Sequence, residues 1–176
     1  MSSSSSLAEV AVVVASALND AGIDVVLTGG ACATFYSGGT YLSNDLDFIV
    51  RRGGTRRTLD QAMLRVGFQR DGDRYVHPGT IFFVEFPRGP LAIGDDLKIT
   101  PVVLHLAGGT VAALSATDAC RDRLAAFFHW SDRQSLSVAV AIARKQSVEM
   151  STIQDWSQKE GFVASFQEFA RAVQGP

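Results

Sequence analysis

The order of apolar and polar positions divides the chain into a mixed first half and a helical second half. In the first half, apolar runs of strand length alternate with stretches of helical spacing, and Gly-rich segments separate them. From Ser115 to about Ala172 there is no proline, and apolar residues recur at helical spacing. This order predicts an α+β fold, with a small mixed β-sheet core and flanking helices over 1–114 and a helical segment over 115–176 packed on that core.

The same pattern predicts the individual elements. Helices are expected over 7–21, 30–36, 55–66, 115–128, 131–145 and 162–173, with a further helix that begins at Ser151 or Thr152. Strands are expected over 23–28, 46–50, 68–70, 81–86, 99–104 and 111–114. Gly22 is expected to end the first helix in the left-handed conformation, and Ser115 with Asp118 forms a capping pattern before the second half.

Composition narrows the class of protein. The chain has 176 residues, of which 47% are hydrophobic, enough for one domain with a proper core. The net charge of -2 gives no global attraction to nucleic acid, so a polyanion would need a local basic patch. Six arginines after the second predicted strand, at 51, 52, 56, 57, 65 and 70, offer either a solvated surface or an electropositive rim for RNA or a nucleotide tail. The net charge favours the solvated surface.

The N-terminus and the cysteines indicate the compartment. A serine run precedes an apolar stretch that contains Glu9 and lacks the positive n-region of a secretory signal. No stretch reaches the roughly 20 apolar residues that span a bilayer. Cys32 and Cys120 lie far apart without metal-type spacing, which favours buried thiols over a single disulfide. We therefore expect a cytoplasmic protein that does not enter the membrane.

The segment 25–50 carries the strongest chemical signal. A short apolar strand ends in Thr28-Gly29-Gly30, and Asp45 and Asp47 open a second apolar run. Alternate residues of a strand point to one face, so the two carboxylates should lie together and repel each other. A divalent cation between them would remove that repulsion. The Gly-Gly turn opens a helix N-terminus, whose free N–H groups suit a phosphate, so the segment indicates phosphoryl or nucleotidyl chemistry.

Glu85 is the third candidate acid. It lies in an otherwise apolar run, where an unpaired carboxylate is costly to bury. If its strand lies beside the one that carries Asp45 and Asp47, the three acids converge and suit Mg²⁺ or Mn²⁺. In the alternative interpretation Glu85 lies on an edge strand and faces solvent.

At these residues the chain resembles the nucleotidyltransferase superfamily with the polymerase-beta-like fold. The resemblance consists of Gly29-Gly30, Asp45-Leu46-Asp47 and the later acid Glu85. It implies an enzyme that moves a nucleoside monophosphate from an NTP to an acceptor hydroxyl. In that interpretation the three acids are catalytic and bind the metal, and Thr28, Gly29, Gly30 and Ser43 contact the nucleotide.

The second half shows a narrower resemblance, to bacterial AbiEii-like nucleotidyltransferases, in the segments around 117–127 and 129–136. It implies that Arg123 approaches the nucleotide phosphates and that Asp132 lies in the active cleft; an ion pair between these two residues is the alternative. Lys98 is expected either to reach the triphosphate or to neutralise Asp95 and Asp96. Proteins of this family are often toxins with a cognate antitoxin, and some relatives modify tRNA ends.

Two other functions stay open at this point. A nucleotidyltransferase-like fold can serve as a non-catalytic binding or regulatory partner, although all three acids are present. A phosphatase of the Asp-x-Asp haloacid type fits less well, because Phe48 follows the pair and a Gly-Gly unit precedes it. The acceptor is equally open, since a tRNA end, a protein hydroxyl and a small aminoglycoside-like molecule all suit the same metal site.

Overall fold

The computed structural model describes residues 5–175; residues 1–4, which hold part of the serine run, and Pro176 at the end of the predicted helical segment lie outside the described residues. The helices are α1 Leu7–Asp20, α2 Gly29–Tyr36, α3 Arg56–Arg65, α4 Ala116–Trp130, α5 Arg133–Lys145, α6 Met150–Lys159 and α7 Val163–Gln174. The strands are β1 Asp24–Thr28, β2 Asp45–Arg52, β3 Gln69–Asp71, β4 Arg74–Val76, β5 Phe83–Glu85, β6 Val102–Leu106 and β7 Gly109–Ala113. Within these described residues, no helix has the length and apolar character to cross a bilayer.

The strands form one mixed sheet in the order β3-β4-β5-β2-β1-β7-β6. β2 lies at its centre, antiparallel to β1 and parallel to β5. β1 is parallel to β7, and the outer pairs β3–β4, β4–β5 and β6–β7 are antiparallel. α1 and α3 pack together on one side of the sheet, whereas α2 packs on β2 and meets α4 and α5. The α+β architecture expected from the sequence is confirmed.

α1 shows how local sequence sets an element. Ser6 caps the helix: its hydroxyl accepts a hydrogen bond from the Glu9 N–H at 3.3 Å, and its own N–H donates to the Glu9 carboxylate at 2.7 Å. The capping box satisfies N–H groups that the first turn of a helix leaves without partners. One face of α1 then buries apolar side chains against the sheet.

The C-terminal helices are joined to the core by polar contacts as well as packing. The Gln146 side-chain amide just after α5 donates to the Tyr36 carbonyl at the end of α2, at 3.0 Å. The Lys145 ammonium at the end of α5 donates to the Ser37 carbonyl at 2.8 Å and to the Thr40 hydroxyl at 2.9 Å. The α5 end therefore holds the loop that leads from α2 towards β2.

Two elements differ from the sequence-based expectations. β4 was not expected, because Arg74-Tyr75-Val76 is too short and polar to show a strand pattern; it forms by pairing with β3 and by burying Tyr75. The predicted strand over 81–86 is shorter, since only 83–85 pairs with β2. Ile81 lies outside the sheet with 75% of its surface exposed.

Candidate active site

The register of β2 and β5 places the acids. Asp47 lies directly opposite Glu85, and Asp45 lies opposite Phe83. Residues opposite each other in neighbouring strands share a face of the sheet, and residues two apart in one strand also share it. Asp45, Asp47 and Glu85 therefore occupy one face of two adjacent strands, and all three are half-buried. This is the face on which α2 lies, opposite the one covered by α1 and α3.

A glycine corner borders Asp47. Gly29 has φ of +63°, a backbone conformation that residues other than glycine rarely adopt. A Cβ at this position would also collide with the Asp47 carboxylate. At Gly30, a Cβ would lie 2.6 Å from the Ser43 hydroxyl oxygen. The glycines thus let the start of α2 approach the acid strand more closely than any side chain permits.

The first turn of α2 keeps its backbone donors free of a side-chain cap. Thr28 is the N-cap residue, but its hydroxyl donates to the Asp47 carbonyl at 3.3 Å instead of capping the helix. N–H groups at a helix N-terminus without a side-chain cap carry partial positive charge and suit a phosphate group. They lie beside the acids, as the Gly29–Asp47 contact shows.

Ser43 belongs to the wall of the same corner. Its N–H donates to the Thr34 hydroxyl at 3.1 Å, and that hydroxyl in turn donates to the Gly30 carbonyl at 3.0 Å. The Ser43 hydroxyl donates to the Asp45 carboxylate. Ser43 is buried, and its hydroxyl orients the Asp45 carboxylate.

The electrostatics of the site centre on Asp47. The pKa of Asp47 is raised from its ordinary value of 3.8 to about 7, first by burial and then by the neighbouring carboxylates of Asp45, Glu85 and Asp122, in that order. Arg123 acts in the opposite direction. Each carboxylate makes ionisation of the next one less favourable, so the site has a deficit of positive charge. A strongly perturbed carboxyl group in such a cluster is a feature of functional sites.

Arg123 lies on the side of α4 that faces the acids. Its guanidinium donates to the Asp122 carboxylate at 2.6 and 3.1 Å, and only 17% of its side chain is exposed. Burial acts to lower its pKa, but Asp122, the Tyr41 hydroxyl and Asp47 together raise it above the ordinary value. Arg123 and Asp47 thus each shift the pKa of the other, while the contact of Arg123 with nucleotide phosphates stays a prediction. The alternative ion pair with Asp132 is absent from the described residues.

Asp122 was not among the residues singled out from the sequence. It supplies a fourth carboxylate that acts on Asp47, and it is also the partner of Arg123. The available signal was the adjacent Asp-Arg pair in a helix that otherwise packs apolar residues. That signal does not reveal the site, because it does not say against which element the pair packs.

The hydrogen bonds of Asp132 and Lys98 involve none of the three acids. Asp132 caps α5: its carboxylate accepts from the Gln134 and Ser135 N–H groups at 2.9 and 3.2 Å, and from the Ser135 hydroxyl at 2.7 Å. The Ser135 hydroxyl is the main cause that lowers the pKa of Asp132, and Arg123 adds a smaller effect. Arg123 therefore acts electrostatically on Asp132, while the carboxylate oxygens of Asp132 cap the N-terminus of α5.

Lys98 is exposed, in the loop between β5 and β6. Its N–H donates to the Asp96 carboxylate at 2.9 Å, and Arg121 binds the same carboxylate at 2.5 Å. Arg121 also pairs with Asp118 at 2.8 Å and is almost fully buried. Asp96 is thus neutralised by Arg121, and the structure does not bring Lys98 to the three acids.

The fit of a divalent cation depends on donor chemistry and on geometry. Carboxylate oxygens are the ligands that Mg²⁺ and Mn²⁺ prefer. The pKa of Asp47 is raised first by burial and then by Asp45 and Glu85, and a cation would offset both effects. Within residues 5–175, however, no three His, Cys, Asp or Glu side chains are already gathered as a metal site. Asp45 is turned to Ser43 and Asp47 to Gly29. The residues fit a cation by charge and by shared face, with side-chain rotation needed to enclose it.

Comparisons with known proteins support the fold. A scan of the sequence against protein-family models finds no match, and no curated protein matches it. Among solved structures, a nucleotidyltransferase-like antigenic protein from Paracoccidioides brasiliensis superposes with a TM-score of 0.64 at 20% identity, with 94% of each chain covered. The antibiotic-resistance factor ANT(2'')-Ia superposes with a TM-score of 0.57 at 14% identity, covering 95% of this chain and 94% of its own. The chain therefore has a nucleotidyltransferase-like fold over nearly its whole length.

Proposed function

We propose that this protein is a nucleotidyltransferase that moves a nucleoside monophosphate from an NTP to the hydroxyl of an acceptor. The observation that carries the proposal is the register of β2 and β5, which sets Asp47 opposite Glu85 beside the Gly29 corner. The fold likeness supports the same activity, because both neighbours named above share this architecture and one is described as nucleotidyltransferase-like.

Each part of the site has a role in this reaction. The N–H groups at the start of α2 bind the phosphates of the NTP, and Arg123 adds a charged donor to the same group. The acceptor oxygen forms a bond to the α-phosphorus, and the bond from that phosphorus to the bridging oxygen breaks. Pyrophosphate leaves with the electron pair. Glu85 takes the proton of the acceptor hydroxyl, since it lies at the end of β5 beside Asp47.

Asp45, Asp47 and Glu85 are the residues that would hold Mg²⁺ or Mn²⁺, and the bound ion supplies positive charge that stabilises the phosphate oxygens. Ser43 orients Asp45 through its hydroxyl, and Gly29 leaves room for Asp47. Since a metal must displace the proton of Asp47, binding of the ion is expected to strengthen as the pH rises through about 7.

The direct test uses each of the four NTPs labelled at the α-phosphate, with Mg²⁺ or Mn²⁺, and three acceptor pools: total cellular RNA, a protein lysate, and small-molecule antibiotics. The last pool is included because a fold neighbour is an antibiotic-resistance factor. We expect label in one pool together with released pyrophosphate. Asp47→Asn should abolish the transfer, whereas the exposed Asp155→Asn should not.

The pool that takes up label also decides among an RNA end, a protein and a small molecule as acceptor. If calorimetry shows NTP binding but no pool takes up label with any NTP, the protein is a non-catalytic partner instead. A fully active Asp47→Asn variant would contradict the proposed chemistry directly.

A further inference from the structure

The basic residues of the chain are unevenly placed. Eight of the sixteen Lys and Arg residues lie between Arg51 and Arg88, but only four of the eighteen Asp and Glu residues do. This segment comprises the end of β2, α3, the β3–β4 hairpin and β5. The rest of the chain carries an excess of acids, so a basic segment at 51–88 exists within a chain whose net charge is -2.

A cavity of about 740 Å³ lies in the middle of this segment. Val50, Leu59 and Phe86 form apolar parts of its wall. Leu59 belongs to α3, and Val50 points to the opposite face of β2 from Asp45 and Asp47 because it is an odd number of residues away. The cavity is therefore on the α3 side of the sheet, behind the acids.

Three guanidinium groups line the cavity, those of Arg56, Arg70 and Arg88. Arg70 has an internal partner, since its Nε lies 3.6 Å from the Asp60 carboxylate. Within residues 5–175, no ion pair engages Arg56 or Arg88, and both are exposed. The carboxylates of Asp73 and Glu85 also line the cavity, but no ion pair within residues 5–175 joins either of them to Arg56 or Arg88.

The cavity meets the acid face at one residue. Glu85 borders the cavity and is also the register partner of Asp47. It is the last residue of β5, a strand of three residues. A molecule that lies in the cavity can therefore reach the catalytic face around the end of β5, at the position of the residue that takes the acceptor proton in the proposed reaction.

We propose that this cavity holds the phosphate-bearing part of the acceptor, with Arg56 and Arg88 on the phosphate oxygens and the reacting hydroxyl next to Glu85. The inference rests on the proposed nucleotidyl transfer. Guanidinium groups bind phosphate bidentately, and the apolar wall of the cavity suits the face of a sugar or base.

Phosphate of this kind has two sources, an RNA strand or a small sugar phosphate, and the experiment separates them. A labelled single-stranded RNA of about 12 nucleotides is titrated by fluorescence anisotropy at several salt concentrations. Ribose 5-phosphate and unphosphorylated ribose are titrated by calorimetry. The test variant is the double substitution R56Q/R88Q. The control is R65Q/R171Q, which removes the same charge from two exposed positions outside the cavity.

For RNA, we expect the slope of log affinity against log salt to fall by about 1.4 in R56Q/R88Q, which is about 0.7 for each lost phosphate contact. For a small acceptor, we expect ribose 5-phosphate but not ribose to bind, with a loss of about tenfold in R56Q/R88Q. Either result with an unaffected control supports the proposal. No binding of either probe, or equal losses in both double variants, overturns it.

The two proposals fail in different ways. If transfer occurs and the KM for the acceptor is the same in R56Q/R88Q as in the unmodified protein, the cavity inference is wrong and the nucleotidyltransferase function stands. If ribose 5-phosphate or RNA binds through the cavity but no NTP is consumed with any acceptor, the proposed function is wrong. The Asp47→Asn variant should still bind phosphate, because Asp47 lies outside the cavity. It should lose transfer, because Asp47 is one of the proposed catalytic acids.

Discussion

Replacing Asp47 by Asn should stabilise the protein in the absence of divalent cations. The substitution keeps the size of the side chain and removes a charge that the fold disfavours. In the fold the pKa of Asp47 is raised to about 7, so the folded state binds a proton that the unfolded state has already lost at lower pH. Stability that is present below about pH 4 is therefore lost as the pH rises to about 7.

The size of the effect follows from that pKa. The interval from 3.8 to about 7 corresponds to about 4 kcal/mol as an upper value. Because Asp47 is only half-buried and solvent screens its neighbours, we expect a gain of about 2 kcal/mol at pH 8. For a chain of this length, that gain raises the melting temperature by about 4–8 °C.

The assay is urea unfolding of the unmodified protein and Asp47→Asn at pH 8 and pH 4, in EDTA and in magnesium chloride, with Asp155→Asn as the exposed control. At pH 4 the two proteins should unfold alike. Magnesium should stabilise the unmodified protein and leave Asp47→Asn unchanged. The reasoning is refuted if Asp47→Asn is no more stable than the unmodified protein at pH 8, or if its advantage persists at pH 4.

Three further outcomes are expected. Gly29→Ala should cost about 1–3 kcal/mol in urea unfolding and remove NTP transfer, because the residue has positive φ and its Cβ meets Asp47; a fully active variant would contradict the corner geometry. Arg123→Gln should raise the KM for NTP about tenfold and shift the pH profile of transfer upward, since Arg123 lowers the pKa of Asp47; an unchanged KM and profile would remove Arg123 from the site. Asp132→Ala should lose about 1 kcal/mol as a helix cap, whereas Asp132→Asn should keep both stability and activity; loss of transfer by a stable Asp132→Asn would instead place this carboxylate in the cleft.

The strand alternation made much of the site predictable. Asp45 and Asp47 share a face because side chains in a strand alternate, and this follows from two residues of separation alone. The pairing of Glu85 with Asp47 could not be predicted in the same way, because the local sequence does not specify which strands become neighbours. It arises from a parallel β2–β5 contact across a connection that includes α3 and the β3–β4 hairpin.

The parts that escaped prediction depend on packing between distant elements. Asp122 acts on Asp47 only because α4 lies against α2, an arrangement that no local pattern specifies. Lys98 lies beside Asp96 and binds it through its N–H, but the side chain that pairs with the Asp96 carboxylate is that of the buried Arg121. The sequence leaves the basic run after β2 open between a solvated surface and an electropositive rim, and only the packing of distant segments places Arg56, Arg70 and Arg88 around one cavity.

The conformation of the loop before β2 depends on Lys145, which lies more than 100 residues later in the chain, at the end of α5. Its ammonium holds the Ser37 carbonyl and the Thr40 hydroxyl, and both precede the acid strand by a few residues. Removing the last helices would therefore release the segment through which Ser43 reaches Asp45, even if the sheet itself survived. A shortened protein ending after α4 should retain its strands and lose the arrangement of its carboxylates, so the geometry of the candidate site depends on a helix that contributes no acid to it.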